Sequence, residues 1–424
     1  MSSLLEINLS IVFLIAVILI WFMIGYQLLL TVAGFLHHLR SIRERKHVDA
    51  IAFAYPPVSL LIPAHNEELV MGATLEAMLA LDYPKDRLEI IVINDGSTDS
   101  TKEIIDSYRK RDNRIRLYDV PQGEGGKGKS RALNLGLQIA RSEFIAVYDA
   151  DNTPAPDALQ YLVAQLLMHP ELGAVLGKFR TVNKDRNLLT RFINIETLSF
   201  QSILQAGRWW LLKIATLPGT NFVIRRAVIE QLGGWDEDAM TEDAELSIRM
   251  YINGWKIKYI PYAVTYEQEP ERWDVWLRQR TRWVRGNNYV ALKFLRRRRE
   301  IKSRRVQLEV FYLFAMYYIF FIAIIISDFI FLLTATGLVA ISLPGPYTLV
   351  WILAIVLFLA EIMLALSYDR EDSPKALFYM GLMYFSYCQL WIFVVARAFF
   401  LDVIKKEKRT WVKTVRFRAK ETPS

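Results

Sequence analysis

The sequence predicts an α/β fold in which a doubly wound sheet domain is inserted between membrane-spanning helices. Three observations carry this. The apolar residues, 53% of 424, are bunched towards the two ends of the chain. Between those ends, short apolar runs alternate with amphipathic stretches. The polar clusters of that middle block fall where its apolar runs stop. The composition excludes a disordered chain, and the single Cys388 excludes a disulfide-stapled scaffold.

The first apolar run, Ile11 to Leu36, carries no Lys, Arg, Asp or Glu and exceeds the ~20 residues that cross a bilayer. Only Glu6 is charged ahead of it and no basic region precedes it, so it reads as an uncleaved anchor over residues 9–37 that starts outside. His37, His38, Arg40, Arg43, Arg45 and Lys46 follow the run, and Arg296 to Arg299, Lys302, Arg304 and Arg305 stand before the next one. These flanks place residues 55–286 in the cytoplasm. They also make 287–306 a basic interfacial segment on anionic lipid rather than a nucleic-acid site.

Within residues 307–404 three apolar segments follow, Val310–Leu343, Leu349–Ser367 and Ala376–Ile404, ahead of a basic tail at 405–424. Three crossings from an inside start would leave that tail outside, against the positive-inside rule. An inside tail follows if the first segment, with Asp328 near its middle and a Leu-Pro-Gly-Pro break after it, turns back or lies in the interface. The acidic loop Asp369–Asp372 is then outside. Asp328 and Arg397 are expected to face protein or water.

In the middle block, Val58–Pro63, Leu88–Asn94, Ile115–Val120 and Phe144–Tyr148 read as strands, and Glu67–Leu81, Ser100–Arg111 and Lys129–Arg141 as the helices between them. Parallel sheets of this kind bind ligands beyond the carboxyl ends of their strands. There stand Ala64-His65-Asn66-Glu67, Asn94-Asp95-Gly96-Ser97 and Asp149-Ala150-Asp151. Asp149 and Asp151, two apart at a strand end, point to one face. They are either a strand-end cap or the seat of a hard divalent cation completed by substrate phosphates. Asn94-Asp95-Gly96-Ser97-Thr98-Asp99 is a strand-turn-helix cap or a site where Asp95 accepts from a ribose or base. Gly123-Glu124-Gly125-Gly126-Lys127-Gly128-Lys129 lacks the spacing of a triphosphate-binding loop; a mobile loop bringing Lys127 or Lys129 towards a nucleotide is the expectation.

Two further motifs lie downstream. Thr241-Glu242-Asp243 starts a helix, whose amino end would keep a carboxylate ionised. Gln279-Arg280-Thr281-Arg282-Trp283 sets residues i, i+3 and i+4 on one helix face. Trp273 and Trp276, just before it, suit an amphipathic helix resting on a membrane interface.

Taken in order from Pro57 to about Gly286, these motifs resemble the inverting, membrane-integrated synthases of glycosyltransferase family 2, among them cellulose, chitin, hyaluronan and poly-N-acetylglucosamine synthases. Pro63-Ala64-His65-Asn66-Glu67 is similar to the family's Pro-Ala-Tyr-Asn-Glu, with His65 for Tyr. Asn94-Asp95-Gly96 resembles Asp-Asp-Gly with its first Asp changed. Gly128-Lys129 with Ala132-Leu133-Asn134 resembles the run near the nucleotide, Asp149-Ala150-Asp151 the Asp-x-Asp metal motif, and Gln279-Arg280-Thr281-Arg282-Trp283 the Gln-x-x-Arg-Trp signature of processive members. Leu217-Pro218-Gly219-Thr220-Asn221 resembles the acceptor-side loop, and Trp411-Val412-Lys413-Thr414 with Arg416 a tail motif.

The resemblance implies a glycosyltransferase-A-type fold and residue roles. Asp243 would be the general base, beside Glu242, with Arg282 stabilising the departing diphosphate. Asp95, Glu67, Lys129 and Asp149 would meet the nucleotide, and Asp151 with Asp149 would hold Mg²⁺ or Mn²⁺. Gln279, Trp283, Gly219 and Thr220 would meet the acceptor.

The function this implies is a multi-pass plasma-membrane enzyme with its catalytic domain in the cytoplasm. It would add sugar from a UDP-sugar, N-acetylglucosamine before glucose, to a growing polysaccharide that is exported, with accessory export subunits as further partners. The aromatic rings around Phe311–Phe331 and Tyr379–Trp391 would either line a polysaccharide path or pack and anchor the helices. A non-processive transferase acting on a lipid acceptor is the nearest alternative, and a non-catalytic membrane scaffold a more distant one.

Overall fold

The computed structural model describes residues 3–339, 341 and 345–407. The four expected strands form as β1 (Val58–Ala64), β2 (Leu88–Asp95), β3 (Ile115–Val120) and β4 (Phe144–Val147), joined by helices Met71–Leu79, Thr101–Arg111 and Lys129–Ile139. The first of these helices starts later than the apolar spacing suggests, because the Glu67 backbone N–H donates 2.7 Å to Thr101 Oγ1 and holds the preceding turn open.

Four further strands, β5 (Thr153–Pro154), β6 (Leu172–Thr181), β7 (Phe222–Arg225) and β8 (Lys256–Glu267), extend the sheet to eight in the order β3-β2-β1-β4-β7-β6-β8-β5. The β3 to β4 half is parallel. β7 runs antiparallel to both β4 and β6, so the whole sheet is mixed. Both faces are covered: Leu60, Ile62, Val92 and Phe144 pack to one side, and Leu61, Ile93, Ile145 and Val147 to the other. This is why these strands read as unbroken apolar runs instead of alternating ones.

Among the described residues four helices are long and apolar enough to cross a membrane: Glu6–Asp49, Arg304–Thr334, Tyr347–Ser367 and Pro374–Ile404. The first belongs to a 47-residue helix, Ser3–Asp49, about 70 Å long at 1.5 Å per residue. That is more than twice the ~30 Å of hydrocarbon, and its end runs onto the sheet domain. There Lys258 Nζ and Tyr262 Oη donate to Glu44 at 2.7 and 2.9 Å, and Tyr161 Oη to Asp49 at 2.8 Å.

Further up, the same helix lies in backbone contact with the segment made of helix Leu188–Ser199, the π turn Phe200–Gln205 and helix Ala206–Leu212. A Cβ on Gly207 would stand 2.3 Å from the Leu30 carbonyl oxygen, and one on Gly34 2.3 Å from that of Ser202.

The direction of each later helix follows from its contacts. Helix Arg304–Thr334 starts beside the sheet domain, where Glu309 pairs with Arg208. Beyond its far end Tyr347 meets Phe13, the ring centroids 5.3 Å apart. Helix Tyr347–Ser367 then returns, and Tyr368 stacks on His38 at 4.2 Å.

The acidic loop comes to rest on the sheet domain. Asp369 pairs with Lys178 and, at 2.9 Å, with Arg180, and Glu371 pairs with Lys184 at 2.7 Å. This reverses the expectation that the loop lies on the opposite side from that domain.

The last segment bends at Ser386 (φ −126°, ψ −76°) between helices Pro374–Phe385 and Tyr387–Phe399, the second continued by the π turn Phe400–Ile404. Its end also returns to the sheet domain: Arg285 Nε donates 2.8 Å to Asp402 and Arg285 Nη2 2.8 Å to the Glu407 carbonyl. Asp328 is half-buried and Arg397 exposed. Leu343 and Pro344 of the Leu-Pro-Gly-Pro break, and Trp411 to Thr414 with Arg416 in the tail, lie outside the described residues.

Candidate active site

The chain enters the sheet at β1, moves outward to β2 and β3, and crosses back to β4 on the other flank of β1. The crevice between the carboxyl ends of β1 and β4 is thus the topological switch point, where open α/β sheets take ligands. A cavity of about 640 Å³ opens there. It is lined by Glu67, Asp95, Lys129, Asp149, Asp151, Gly219, Thr220, Glu242, Asp243, Gln279, Arg282 and Trp283, so every residue to which the resemblance gave a role lines one space.

Topology explains the convergence. β7 starts opposite the end of β4, with Phe222 paired to Val147. This sets Gly219-Thr220-Asn221 beside Asp149, and the Thr220 hydroxyl accepts from the Asp149 N–H at 3.1 Å while bonding Asn152. Thr220 is 3% exposed, and its hydroxyl shapes the turn that presents Asp149 and Asp151. Gly219 sits at φ +82°, and its missing side chain leaves room for Lys129 Nζ and Asp243 Oδ2, each 3.2 Å from where a Cβ would stand. The Ser247 hydroxyl accepts from the Leu217 N–H at 2.9 Å and donates to the Asp243 carbonyl at 2.7 Å. It fixes this loop to the start of helix Glu242–Ile252.

Lys129 is the electrostatic centre. Its ammonium stands 2.5 Å from Asp149 Oδ1 and 3.6 Å from Glu242 Oε1, and donates 2.7 Å to the Gly219 carbonyl. Burial opposes its charge, but Asp149 and Glu242 outweigh burial and hold its pKa above the ordinary lysine range. Lys127 points elsewhere, into a neighbouring cavity of about 720 Å³.

The glycine loop itself is packed down. A Cβ on Gly125 would lie 2.4 Å from the Asp95 carbonyl oxygen, and the Gly126 N–H donates to that oxygen at 3.0 Å. His65 Nδ1 lies 2.7 Å from the same atom. The change to Asn94 also has a local reason: its amide donates 2.7 Å to Asp119, where a carboxylate would meet a like charge.

Asp243 behaves differently from the helix-end expectation. Burial, and next the charge of Glu242, push its pKa up to about 7, although Lys129 and the Ala244 N–H at 2.8 Å act in the other direction. Desolvation exceeds the helix-dipole effect here. A carboxyl with a pKa near neutrality is matched to moving a proton.

The Gln279 to Trp283 face belongs to helix Trp273–Arg296. Arg280, which the sequence reading passed over, holds it together. Its guanidinium donates 2.8 Å to Gln279 Oε1 and 2.6 Å to Glu196 Oε2, and lies 4.0 Å from the centroid of the Trp283 ring. Glu196 Oε2 also accepts 2.7 Å from Tyr387 Oη, which accepts 2.9 Å from Trp276 Nε1. Trp276 is therefore a core residue at 2% exposure, whereas Trp273 is 46% exposed.

Among the described residues no three His, Cys, Asp or Glu side chains form a ready metal cluster. The turn closed by the Asn152 N–H on the Asp149 carbonyl, at 3.0 Å, presents both Asp149 and Asp151 to the cavity. Two carboxylates lining the cavity fit Mg²⁺ or Mn²⁺ whose other ligands come from phosphate and water.

Residues 56–286 match the family described as "Glycosyltransferase like family 2". Over 409 residues, 96% of this chain and 97% of the relative, the sequence is 46% identical to "Probable glycosyltransferase YdaM" of Bacillus subtilis (strain 168). The chain belongs to glycosyltransferase family 2. This family 2 enzyme is also 32% identical, over 59% of its length and 57% of the relative, to a poly-beta-1,6-N-acetyl-D-glucosamine synthase of Staphylococcus epidermidis. Among solved structures it shares its fold with a mannosyltransferase of Pyrobaculum calidifontis determined with GDP-Man and Mn2+: TM-score 0.53, 22% identity, covering 86% of this chain and 99% of that one. These likenesses accord with the expected fold and enzyme class.

Proposed function

We propose that this protein is a processive β-glycosyltransferase that polymerises a UDP-sugar, N-acetylglucosamine ahead of glucose, and passes the chain across the plasma membrane. One observation carries the reading. The cavity that holds Asp149, Asp243 and Trp283 is also lined by Tyr312, Tyr317 and Trp391, which lie on the apolar helices. Aromatic faces suit the apolar faces of sugar rings. The Staphylococcus relative, a synthase of a β-linked N-acetylglucosamine polymer by its name, supports the choice of sugar.

In this reading Asp95 and Glu67 meet the nucleoside and Lys129 the diphosphate. Asp149 and Asp151 would hold Mg²⁺ or Mn²⁺, which when bound supplies charge to neutralise the diphosphate. Asp243 takes the proton from the acceptor hydroxyl as its oxygen bonds to the anomeric carbon. The bond from that carbon to UDP breaks on the opposite face, inverting the centre. Glu242 keeps Asp243 basic enough for this, and Arg282 stabilises the leaving diphosphate. Gln279, Trp283 and the Gly219 backbone orient the acceptor, and Thr220 acts through the Asp149 turn.

The catalytic block faces the cytoplasm on the strength of its basic flanks. Helix Arg304–Thr334 goes out, helix Tyr347–Ser367 comes back, and the bent segment Pro374–Ile404 dips in and returns. The basic tail then ends inside with no breach of the positive-inside rule.

The test is to incubate detergent-purified protein with each common UDP-sugar and Mn²⁺ or Mg²⁺, measure UDP release and size the labelled product. A long polymer from one donor supports the proposal and names its sugar. Release with only a short lipid-linked product replaces it with the glycolipid transferase, and no release from any donor removes the synthase reading.

A further inference from the structure

The proposed path contains a carboxyl with no counterpart. Glu361 lies on helix Tyr347–Ser367, about 9 Å along the axis from the end facing the catalytic block at 1.5 Å per residue. It is 5% exposed and lines the cavity together with Tyr317, Phe358 and Trp391. Among the described residues its Oε1 has no hydrogen-bond partner. The contrast with Glu309 is direct, because that buried acid is paired with Arg208. A carboxyl set without a partner in apolar surroundings costs stability unless something else completes it, and the space it faces is the one along which a product would pass.

We infer that Glu361 is a product-contacting residue that sets the charge class of the sugar chain admitted to the membrane part of the cavity. The inference rests on the reading of the cavity as a polysaccharide path. A carboxylate accepts hydrogen bonds from hydroxyl and amide N–H donors of a neutral chain. It accepts stronger, charge-assisted ones from an amine-bearing chain. A chain carrying carboxylates would instead bring a like charge into a space poor in water. The aromatic neighbours hold the ring faces and Glu361 reads the polar edge, so the site fits neutral or amino sugars and disfavours uronic acids.

The experiment uses the full chain in detergent and reads tryptophan fluorescence, since Trp283 and Trp391 both line the cavity. Three probes are titrated: a β-linked N-acetylglucosamine pentasaccharide, its fully de-N-acetylated amine form, and a pentasaccharide of alternating N-acetylglucosamine and glucuronic acid. The wild type should bind the amine form at least about tenfold more tightly than the acidic one, with the neutral form between. Glu361→Gln should bring the amine and acidic affinities to within about threefold of each other, with the neutral affinity weakening less than the amine one. Glu361→Asp should keep the wild-type order, which guards against a loss due to misfolding.

An unchanged order in Glu361→Gln, or no binding of any probe to the wild type, overturns the inference. Polymer made from UDP-sugars without any charge preference removes Glu361 and leaves the synthase reading standing. Charge-selective binding without polymer does the reverse.

Discussion

At the scale of single residues, Asp243 carries the sharpest expectation. Its carboxyl has its pKa raised to about 7 by burial and by Glu242, and a base must be deprotonated to act. In the free enzyme kcat/KM should therefore climb about tenfold per pH unit below that value and level off above it. A pH–rate profile checks this, and Glu242→Gln should move the midpoint to lower pH. Asp243→Asn should lower kcat by roughly a hundred- to ten-thousand-fold while equilibrium UDP binding persists. Substantial residual polymer would remove Asp243 as the base.

Arg280 is the second case, since one guanidinium holds the Gln279 amide and the Trp283 ring at once. A lysine keeps the charge but not the planar fork. Arg280→Lys should reduce kcat by about ten- to a hundredfold through misplacement, with the donor KM unchanged. A KM effect of equal size would make Arg280 merely structural.

These residues differ in how legible they were. Asp149, Asp151 and Asp243 stand in short motifs that the family resemblance picks out. Glu196, Arg280 and Tyr387 depend on contacts between distant segments, which no local pattern encodes. Glu361 left one signal, an acid inside an apolar run.

At the scale of elements, the first sheet half was legible because parallel strands buried on both faces give unbroken apolar runs. The second half was not. β7 is only four residues long, and β8 carries lysines at positions 256 and 258 and a proline at 261, which blur its alternation. The helical segment Leu188–Leu212 was missed too, because its middle is a π turn and the regular helical spacing breaks there.

That segment sets the seating of the first long helix. The Leu30 carbonyl leaves no room for a Cβ on Gly207, and a backbone atom gives way less readily than a side-chain end. Gly207→Ala should cost about 1–3 kcal/mol through overpacking, read as a lower midpoint of thermal unfolding in detergent. An unchanged midpoint would mean the two helices separate freely.

At the scale of the whole molecule, the proposed topology removes the conflict between three apolar segments and a basic tail at the last segment and not at the first. Composition made all three look alike. What distinguishes the last is the bend at Ser386 and the ion pairs at both of its ends, to Lys178, Arg180, Lys184 and Arg285. The prediction is made on intact cells, in a Cys388→Ser background. A thiol added at the end of the tail should resist a membrane-impermeant reagent, and one placed at Gly345 should react with it. Labelling of the tail thiol would restore a third crossing.

The walls of the large cavity come from positions as far apart as Gln27 and Val395. A ribosome therefore exposes the Asp149 and Asp243 side of the chamber well before it releases Tyr387, Trp391 and Val395. Until those last residues emerge and fold against Trp276 and Glu196, the nascent chain has a donor-facing half but no closed wall beyond it. In the proposed synthase, transfer into a chamber open on that side is thereby postponed until Tyr387, Trp391 and Val395 have left the ribosome.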